Sequence, residues 1–346
     1  MPVSLKEVAL RAGVARGTVS TVLNNRAAQG RISTATQARI RSIASELGYR
    51  PNRLAQGLGR GRTNIIGLMI PGLRNPFFLS LLEGAEDRAF QSGFDVLPDS
   101  AFQLRAKYHL DAKLSGWPVD AVLIWARPDT TLADYMGGWR QDAPVVYLGY
   151  ERGDGADYVA IDRETGVRQA MVHLQDRGYR RIAYIYPWAD LQPVDSRYGV
   201  YAALCGEIGQ APMRICLETL QERSKLSSIT QAGLREAGLK TGMLLTERAE
   251  VDRPDAVLCH NDLVAIGVFN GIRRGGLRVP EDIAVVGFDG IEEGQYLDKP
   301  LTTVSSPSLS LIEAAFDIVA RRLAESDPAQ PHQIVLPSTL RIGATT

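Results

Sequence analysis

From residue 63 onward the chain alternates short apolar runs with amphipathic stretches, and that alternation restricts its fold more than any other feature. Ten runs have the length and composition of strands buried on both faces: Ile65–Ile70, Phe94–Leu97, Ala121–Ala126, Val145–Leu148, Val159–Ile161, Ile182–Tyr186, Met213–Leu217, Ala256–Cys259, Ala284–Phe288 and Thr302–Val304. Helical periodicity appears between many of them, at Phe77–Gln91, Thr165–Arg177, Arg197–Glu207, Ser228–Glu236, Leu263–Arg274 and Leu309–Ala324. Strand–helix alternation predicts parallel sheets covered on both faces. Ten or more strands are better divided between two lobes than held in one sheet. Ligands of open α/β sheets bind beyond the carboxyl ends of the strands, so the expected site is a cleft between lobes.

The first 62 residues follow a different pattern. They carry eleven Lys and Arg against only Glu7 and Glu46, a net charge of +9. The other 284 residues hold the remaining 28 basic and 37 acidic residues, a net charge of −9. A formal net charge of zero therefore hides a basic head on an acidic body, which points to a polyanion partner for the head, nucleic acid foremost. Cys205, Cys216 and Cys259 show no metal or redox spacing, as expected for buried thiols in a reducing cytoplasm. The N-terminus lacks the apolar core of a signal peptide, and no run approaches the ~18 apolar residues of a membrane span.

Within the head, Ser4 followed by Glu7 has the form of a capping box that opens a helix to about residue 11. Gly13 permits a tight turn, and a second helix from Ala15 to Asn24 turns Val19, Val22 and Leu23 inward. Its other face shows Arg16, Gly17, Thr18, Ser20 and Thr21, short groups and one Arg able to approach base edges in the major groove. A third helix, Ser33 to Leu47, buries Ile40, Ile43, Ala44 and Leu47. This is a helix-turn-helix pattern.

The spacing Leu5-x-x-Val8-Ala9-x-x-Ala12-Gly13-Val14-x-x-x-Thr18-Val19-Ser20-x-Val22-Leu23-Asn24, followed by Leu47-Gly48-Tyr49-Arg50-Pro51-Asn52-Arg53-Leu54-Ala55, resembles the head of the lactose-repressor (LacI) family of bacterial transcription regulators. The resemblance implies DNA contacts from Ser4, Leu5, Arg16, Gly17, Thr18, Ser20, Thr21, Asn24, Arg31, Tyr49, Asn52, Arg53, Ala55 and Leu58. It makes Pro51–Leu58 a hinge helix formed on operator DNA, with Leu58 as a wedge in the minor groove. Eight residues are too few for a stable helix alone, which fits folding on DNA. Thr21 stands where the family usually has Arg, and Gly17 where a base-reading residue is common, so more of the readout falls to Arg16.

The resemblance extends through the body: Gly67-Leu68-x-Ile70-Pro71 with Asn75-Pro76-Phe77-Phe78, Pro254-Asp255-Ala256-Val257 with Asn261-Asp262, and Val279-Pro280-Glu281-Asp282-Ile283-Ala284-Val285-Val286-Gly287-Phe288-Asp289. It implies an α/β core similar to periplasmic sugar-binding proteins, two Rossmann-like lobes with parallel sheets joined by three crossovers. The expected division is a helix-turn-helix domain at 1–49, a hinge and linker at 50–62 and a core at 63–346. Crossovers near 177, 306 and 330 give a first lobe of 63–177 and 306–329 and a second of 178–305 and 330–346. The effector residues it implies are Phe77, Phe78, Trp125, Thr165, Trp188, Arg197, Asn261, Asp289 and Ser306. Asp289 would accept from ligand hydroxyls, Arg197 and Asn261 would donate, and the aromatics would cover an apolar face. Arg163 stands where the family commonly has Asn, a change that reshapes the pocket.

Two glycine motifs carry no nucleotide site. Gly57-Leu58-Gly59-Arg60-Gly61 precedes a strand instead of following one, and Lys240 is out of register with Gly233 and Gly238. The four histidines (109, 173, 260 and 332) have no ligand spacing, and no nucleophile–base pair is evident, so neither metal, cofactor nor enzyme activity is expected. The sequence therefore reads as a cytoplasmic, bacterial, ligand-controlled regulator, a homodimer on a pseudopalindromic operator and nucleoid-associated when bound. Its effector is expected to be a sugar or sugar derivative, and no membrane contact is expected. The competing reading is a cytoplasmic solute-binding protein with no role in DNA regulation.

Overall fold

The computed structural model describes residues 3–23, 32–49, 62–100, 119–126, 143–153, 155–187, 196–217, 233–324 and 330–346. The chain divides into two compact units, Met1–Thr63 and Asn64–Thr346.

Three helices, α1 (Leu5–Ala12), α2 (Arg16–Leu23) and α3 (Thr34–Glu46), build the described part of the first unit. At the start of α1, Glu7 N–H donates to Ser4 Oγ at 3.3 Å and Ser4 N–H donates to Glu7 Oε2 at 2.7 Å, a complete capping box. The helix ends at Gly13, whose φ of 62° lies in the left-handed region that glycine enters without strain. The turn lets Val8, Ala9 and Ala12 meet Val19 and Val22 of α2 and Ile40 and Ala44 of α3 in one small core.

The second unit holds two six-stranded sheets. One contains β1 (Ile65–Met69), β2 (Asp95–Asp99), β3 (Ala121–Trp125), β4 (Val145–Gly149), β5 (Asp157–Asp162) and β11 (Gln333–Pro337), all parallel, in the order β11-β5-β4-β3-β1-β2. The other contains β6 (Ile182–Tyr186), β7 (Met213–Cys216), β8 (Ala256–Cys259), β9 (Ala284–Asp289), β10 (Thr302–Ser305) and β12 (Thr339–Arg341), in the order β12-β10-β9-β8-β6-β7. Among the described strands, only β12 runs antiparallel to its neighbour. Every residue of β3 and of β6 is buried, as strands covered on both faces require.

Six helices flank these sheets among the described residues: α4 (Pro76–Ser92), α5 (Arg163–Asp176), α6 (Ser196–Glu207), α7 (Leu234–Thr246), α8 (Asp262–Arg274) and α9 (Ser308–Arg322). The crossovers are defined by which core each element joins. Helix α5 packs on α6, β10 and β12, and its Val167, Ala170, Met171 and Leu174 lie in the same cluster as Tyr184 and Val286 of the second sheet. The first crossover is therefore at Asp162–Arg163, not near 177: an amphipathic helix can cover either sheet, and sequence periodicity does not say which. The chain returns after Ser305 to lay α9 on α4, β4 and β5. The last crossover is Ser338, between β11 in one sheet and β12 in the other, eight residues beyond the expected 330.

Helix α7 also differs from expectation. It runs to Thr246, ten residues beyond the Glu236 at which the sequence pattern predicts its end. Gly238 and Gly242 look like helix breakers, but they face Gly267 and Gly271 of α8. A Cβ on Gly242 would meet the Val268 carbonyl oxygen, and one on Gly271 would meet that of Leu239. The four glycines let two helix backbones touch, and that packing overrides propensity.

Candidate nucleic-acid interface and ligand cleft

In the head, α2 buries Val19 and Val22 and leaves Arg16 and Gly17 exposed, with Thr18, Ser20 and Thr21 half-buried beside them. A side chain at Gly17 would meet nothing within 4 Å, so packing does not demand glycine there. Lys6, Arg11, Arg39 and Arg41 are exposed, which keeps the head's charge at its surface. Ser4 is committed to the capping box and Leu5 packs against the head's core, so both have structural duties. Tyr49 packs on the same core; burial pushes its phenol up, while the nearby Arg16 charge opposes the shift. Asn24, Arg31, Asn52, Arg53, Ala55 and Leu58 lie outside the described residues, as does Trp188 of the body.

In the body, the carboxyl ends of strands from both sheets converge. Strand β1 leads to Asn75, which caps α4 by accepting from Phe77 N–H at 3.1 Å while its Nδ2 donates to Asp289 Oδ2 at 3.1 Å. The second bond joins the two lobes. Phe77, Phe78 and Trp125 form a cluster of edge-to-face rings with centroids 5.2–5.3 Å apart, and Tyr150 packs on Trp125 at 5.8 Å. Phe77, Asp289 and Ser306 line a cavity of about 660 Å³ together with Glu83, Glu292 and Glu293.

Asp289 ends β9 with φ of 114°, a conformation that costs a non-glycine residue about 1–3 kcal/mol. The strain is held by neighbours: Ser306 N–H donates to the Asp289 carbonyl at 3.1 Å, and Asp262 accepts Gly290 N–H and Ile291 N–H at 2.8 Å each and the Thr303 hydroxyl at 2.6 Å. Burial pushes the Asp289 carboxyl up to about 6, against the bond from Asn75 and the charges of Arg197 and Arg163. Burial and then the Asp289 charge push Asp262 up to about 8. Arg197, in the first turn of α6, is buried; it donates to the His260 carbonyl at 2.8 Å, lies 3.0 Å from His260 Nε2 and sits 5.0 Å over the Phe288 ring.

With this geometry in place, comparison with known proteins is decisive. Residues 4–52 match the family described as bacterial regulatory proteins, lacI family, and residues 171–346 match the periplasmic binding protein-like domain. The chain belongs to the lacI family. It is similar to the HTH-type transcriptional repressor PurR of Vibrio atlanticus, 27% identical over 94% of this chain and 93% of that protein. The ribose operon repressor of Escherichia coli is 27% identical over 99% of both. Among solved structures, a transcriptional regulator CelR–cellobiose complex aligns at 26% identity and a TM-score of 0.65, over 99% of this chain and 100% of that one. A lac repressor dimer bound to operator and the anti-inducer ONPF shares the fold, with a TM-score of 0.79 over 100% and 99% of the two chains at 24% identity. This lacI-family chain is thus a DNA-binding transcriptional regulator with an effector-responsive core, and the relatives it matches are repressors, not enzymes.

Not every residue expected at the cleft of this regulator joins the Asp289 group. Asn261 spends its amide oxygen on capping α8, accepting from Val264 N–H at 3.0 Å. Thr165 is exposed and bonded twice to Asp162, at 2.9 and 2.6 Å, as part of the α5 cap. Asn75, Tyr150, His260 and Asp262 surround this group without being marked by the sequence as cleft residues. Asn75 has the signature of a helix cap before Pro76, and nothing local reveals that its other end reaches Asp289. Arg163 stood out only as a departure; the structure buries its guanidinium at the crossover, within electrostatic reach of Asp289.

Proposed function

We propose that the protein is a repressor that binds a pseudopalindromic operator as a homodimer and is controlled by a small hydroxyl-bearing effector, a sugar or sugar derivative, held between the lobes. Asp289 carries this reading: a strained, half-buried carboxylate at a strand end, bonded across the cleft by Asn75 and flanked by Arg197, has the chemistry to accept from ligand hydroxyls. Phe77, Phe78, Trp125 and Trp188 would cover the ligand's apolar face, Arg197 and Asn261 would donate, and Ser306 and Thr165 would border the site. The ribose operon repressor and the CelR–cellobiose complex among its relatives support a carbohydrate. Arg16, Gly17, Thr18, Ser20 and Thr21 would read base edges, while the +9 head supplies salt-sensitive phosphate attraction. The protein would act in the cytoplasm, on the nucleoid when DNA-bound, with the core at 63–346 as sensor and the segment at 50–62 as hinge. A ligand that favours one closure of the lobes changes operator affinity through that hinge.

A thermal-shift screen of monosaccharides and disaccharides, followed by operator titration with each hit, tests the reading. The expected result is a hit whose stabilisation disappears in Asp289→Ala. A hit that stabilises Asp289→Ala equally removes the cleft from the reading.

A further inference from the structure

Arg163 begins α5, whose buried face belongs to the second lobe, yet its guanidinium turns back to the first. It donates to the carbonyls of Gly149 and Ile161, at the ends of β4 and β5, and lies 4.2 Å over the Tyr150 ring and 5.5 Å from that of Trp125. The residue is only 7% exposed. Its charge acts on Asp289 from the end of β5, as that of Arg197 does from the start of α6. We infer that Arg163 is a specificity-determining residue that makes the cleft select ligands carrying an oxyanion, a carboxylate or phosphate, in addition to hydroxyls. This rests on the reading of the Asp289–Arg197 cleft as the effector site.

The amide that the family resemblance leads one to expect at this position is neutral. A guanidinium instead offers a planar fork of donors that fits carboxylate and phosphate oxygens. Here the fork is held by ring stacking and by two backbone carbonyls, so little freedom is lost when a ligand meets it. Buried cations act in a medium of low effective dielectric, where an added anion gains most. The nearby carboxyls do not cancel them evenly. Asp289 faces both arginines and offsets one of the two charges, while burial and the Asp289 charge push Asp262 up to about 8 and so reduce its negative charge near neutral pH. The adjoining cavity is lined by Glu83, Glu292 and Glu293, so an anionic group is directed away from it and toward the arginines.

Calorimetric titration of the full-length protein at neutral pH, with three matched sets of probes, tests this: glucose, glucuronate and glucose 6-phosphate; galactose, galacturonate and galactose 6-phosphate; ribose, ribonate and ribose 5-phosphate. In at least one set the acid or the phosphate should bind about tenfold or more tighter than the neutral sugar, and the two arms separate carboxylate from phosphate. Arg163→Gln should erase that preference, and Arg163→Lys should keep part of it, with circular dichroism confirming that each variant is folded. Should Arg163→Gln fail to fold, Arg163→Lys together with the wild-type comparison decides. A neutral sugar that binds as tightly as its acid and phosphate, or a preference that survives in Arg163→Gln, overturns the inference. Neutral binding that depends on Asp289 would then leave the cleft reading intact, whereas absence of any binder would count against both.

Discussion

Replacing Asp289 by Asn should stabilise the sensor unit at neutral pH and do so less in acid. Asn is nearly isosteric and can still accept from Asn75 Nδ2, so the change removes a charge with little change of shape. The Asp289 carboxyl is raised from 3.8 to about 6 because burial outweighs the bond from Asn75 and the attraction of Arg197 and Arg163. A raised acid contributes stability that is fully present below its unfolded value and is lost as pH rises through its folded value. At about 1.4 kcal/mol per unit, the whole shift corresponds to roughly 3 kcal/mol, and about half of it develops between pH 5 and 7.5. Asp262 acts in the same direction, since its own shift owes part of its size to the Asp289 charge. Urea unfolding of wild type and Asp289→Asn, followed by tryptophan fluorescence at pH 5 and 7.5, measures the difference. The variant's advantage should grow by at least ~1 kcal/mol between the two pH values. An advantage that is the same at both would refute the claim that a costly, partly desolvated charge is maintained here, and with it the physical reason for assigning this carboxylate to a ligand.

Other expectations follow from the same structure. Gly17→Ala should stabilise the head by about 0.5–1 kcal/mol, since it sits in α2 with open space around it, and should alter operator preference; a lower melting temperature would contradict this. Gly271→Ala should cost ~2 kcal/mol or more in chemical denaturation, because the new methyl meets the Leu239 carbonyl and lies 2.8 Å from Gly242 Cα. Arg322→Ala should cost about 3–5 kcal/mol at neutral pH by stranding Asp157, which it holds with two 2.7 Å bonds. Burial pushes the Asp157 carboxyl up, but Arg322 and the His332 N–H outweigh that and keep it below 3.8, so the loss should fade only as pH falls beneath that value.

The sequence and the structure agree where local pattern and tertiary role coincide. Ser4 and Glu7 announced the capping box, and Gly13 the turn, because caps and left-handed turns are built from neighbours in the chain. Ten of the twelve described body strands are readable as apolar runs, whereas the half-exposed β11 and β12 at the sheet edges are not among the runs that the sequence picks out. Legibility failed where a residue's partner lies far away in sequence. The extent of α7 depends on Gly267 and Gly271 of α8, and the true first crossover on which sheet Val167 and Leu174 cover. The cleft shows the same division. Asp289 and Arg197 stand at strand and helix ends that a family resemblance can point to. The Asn75–Asp289 bond spans 214 positions, and Arg163 turns against the lobe its own helix packs on. Neither leaves a trace in periodicity.

The central claim is that operator binding by the head and ligand binding at the Asp289–Arg197 cleft are one coupled equilibrium. The most direct measurement is an anisotropy titration of the full-length protein on an operator selected from random DNA, with and without a saturating ligand found by the screen, paired with calorimetry of that ligand with and without operator. The two affinities should change by the same factor, about 5–150-fold, in wild type and by none in Asp289→Ala. Operator affinity that is unchanged at saturating ligand, or two factors that differ, would contradict the account.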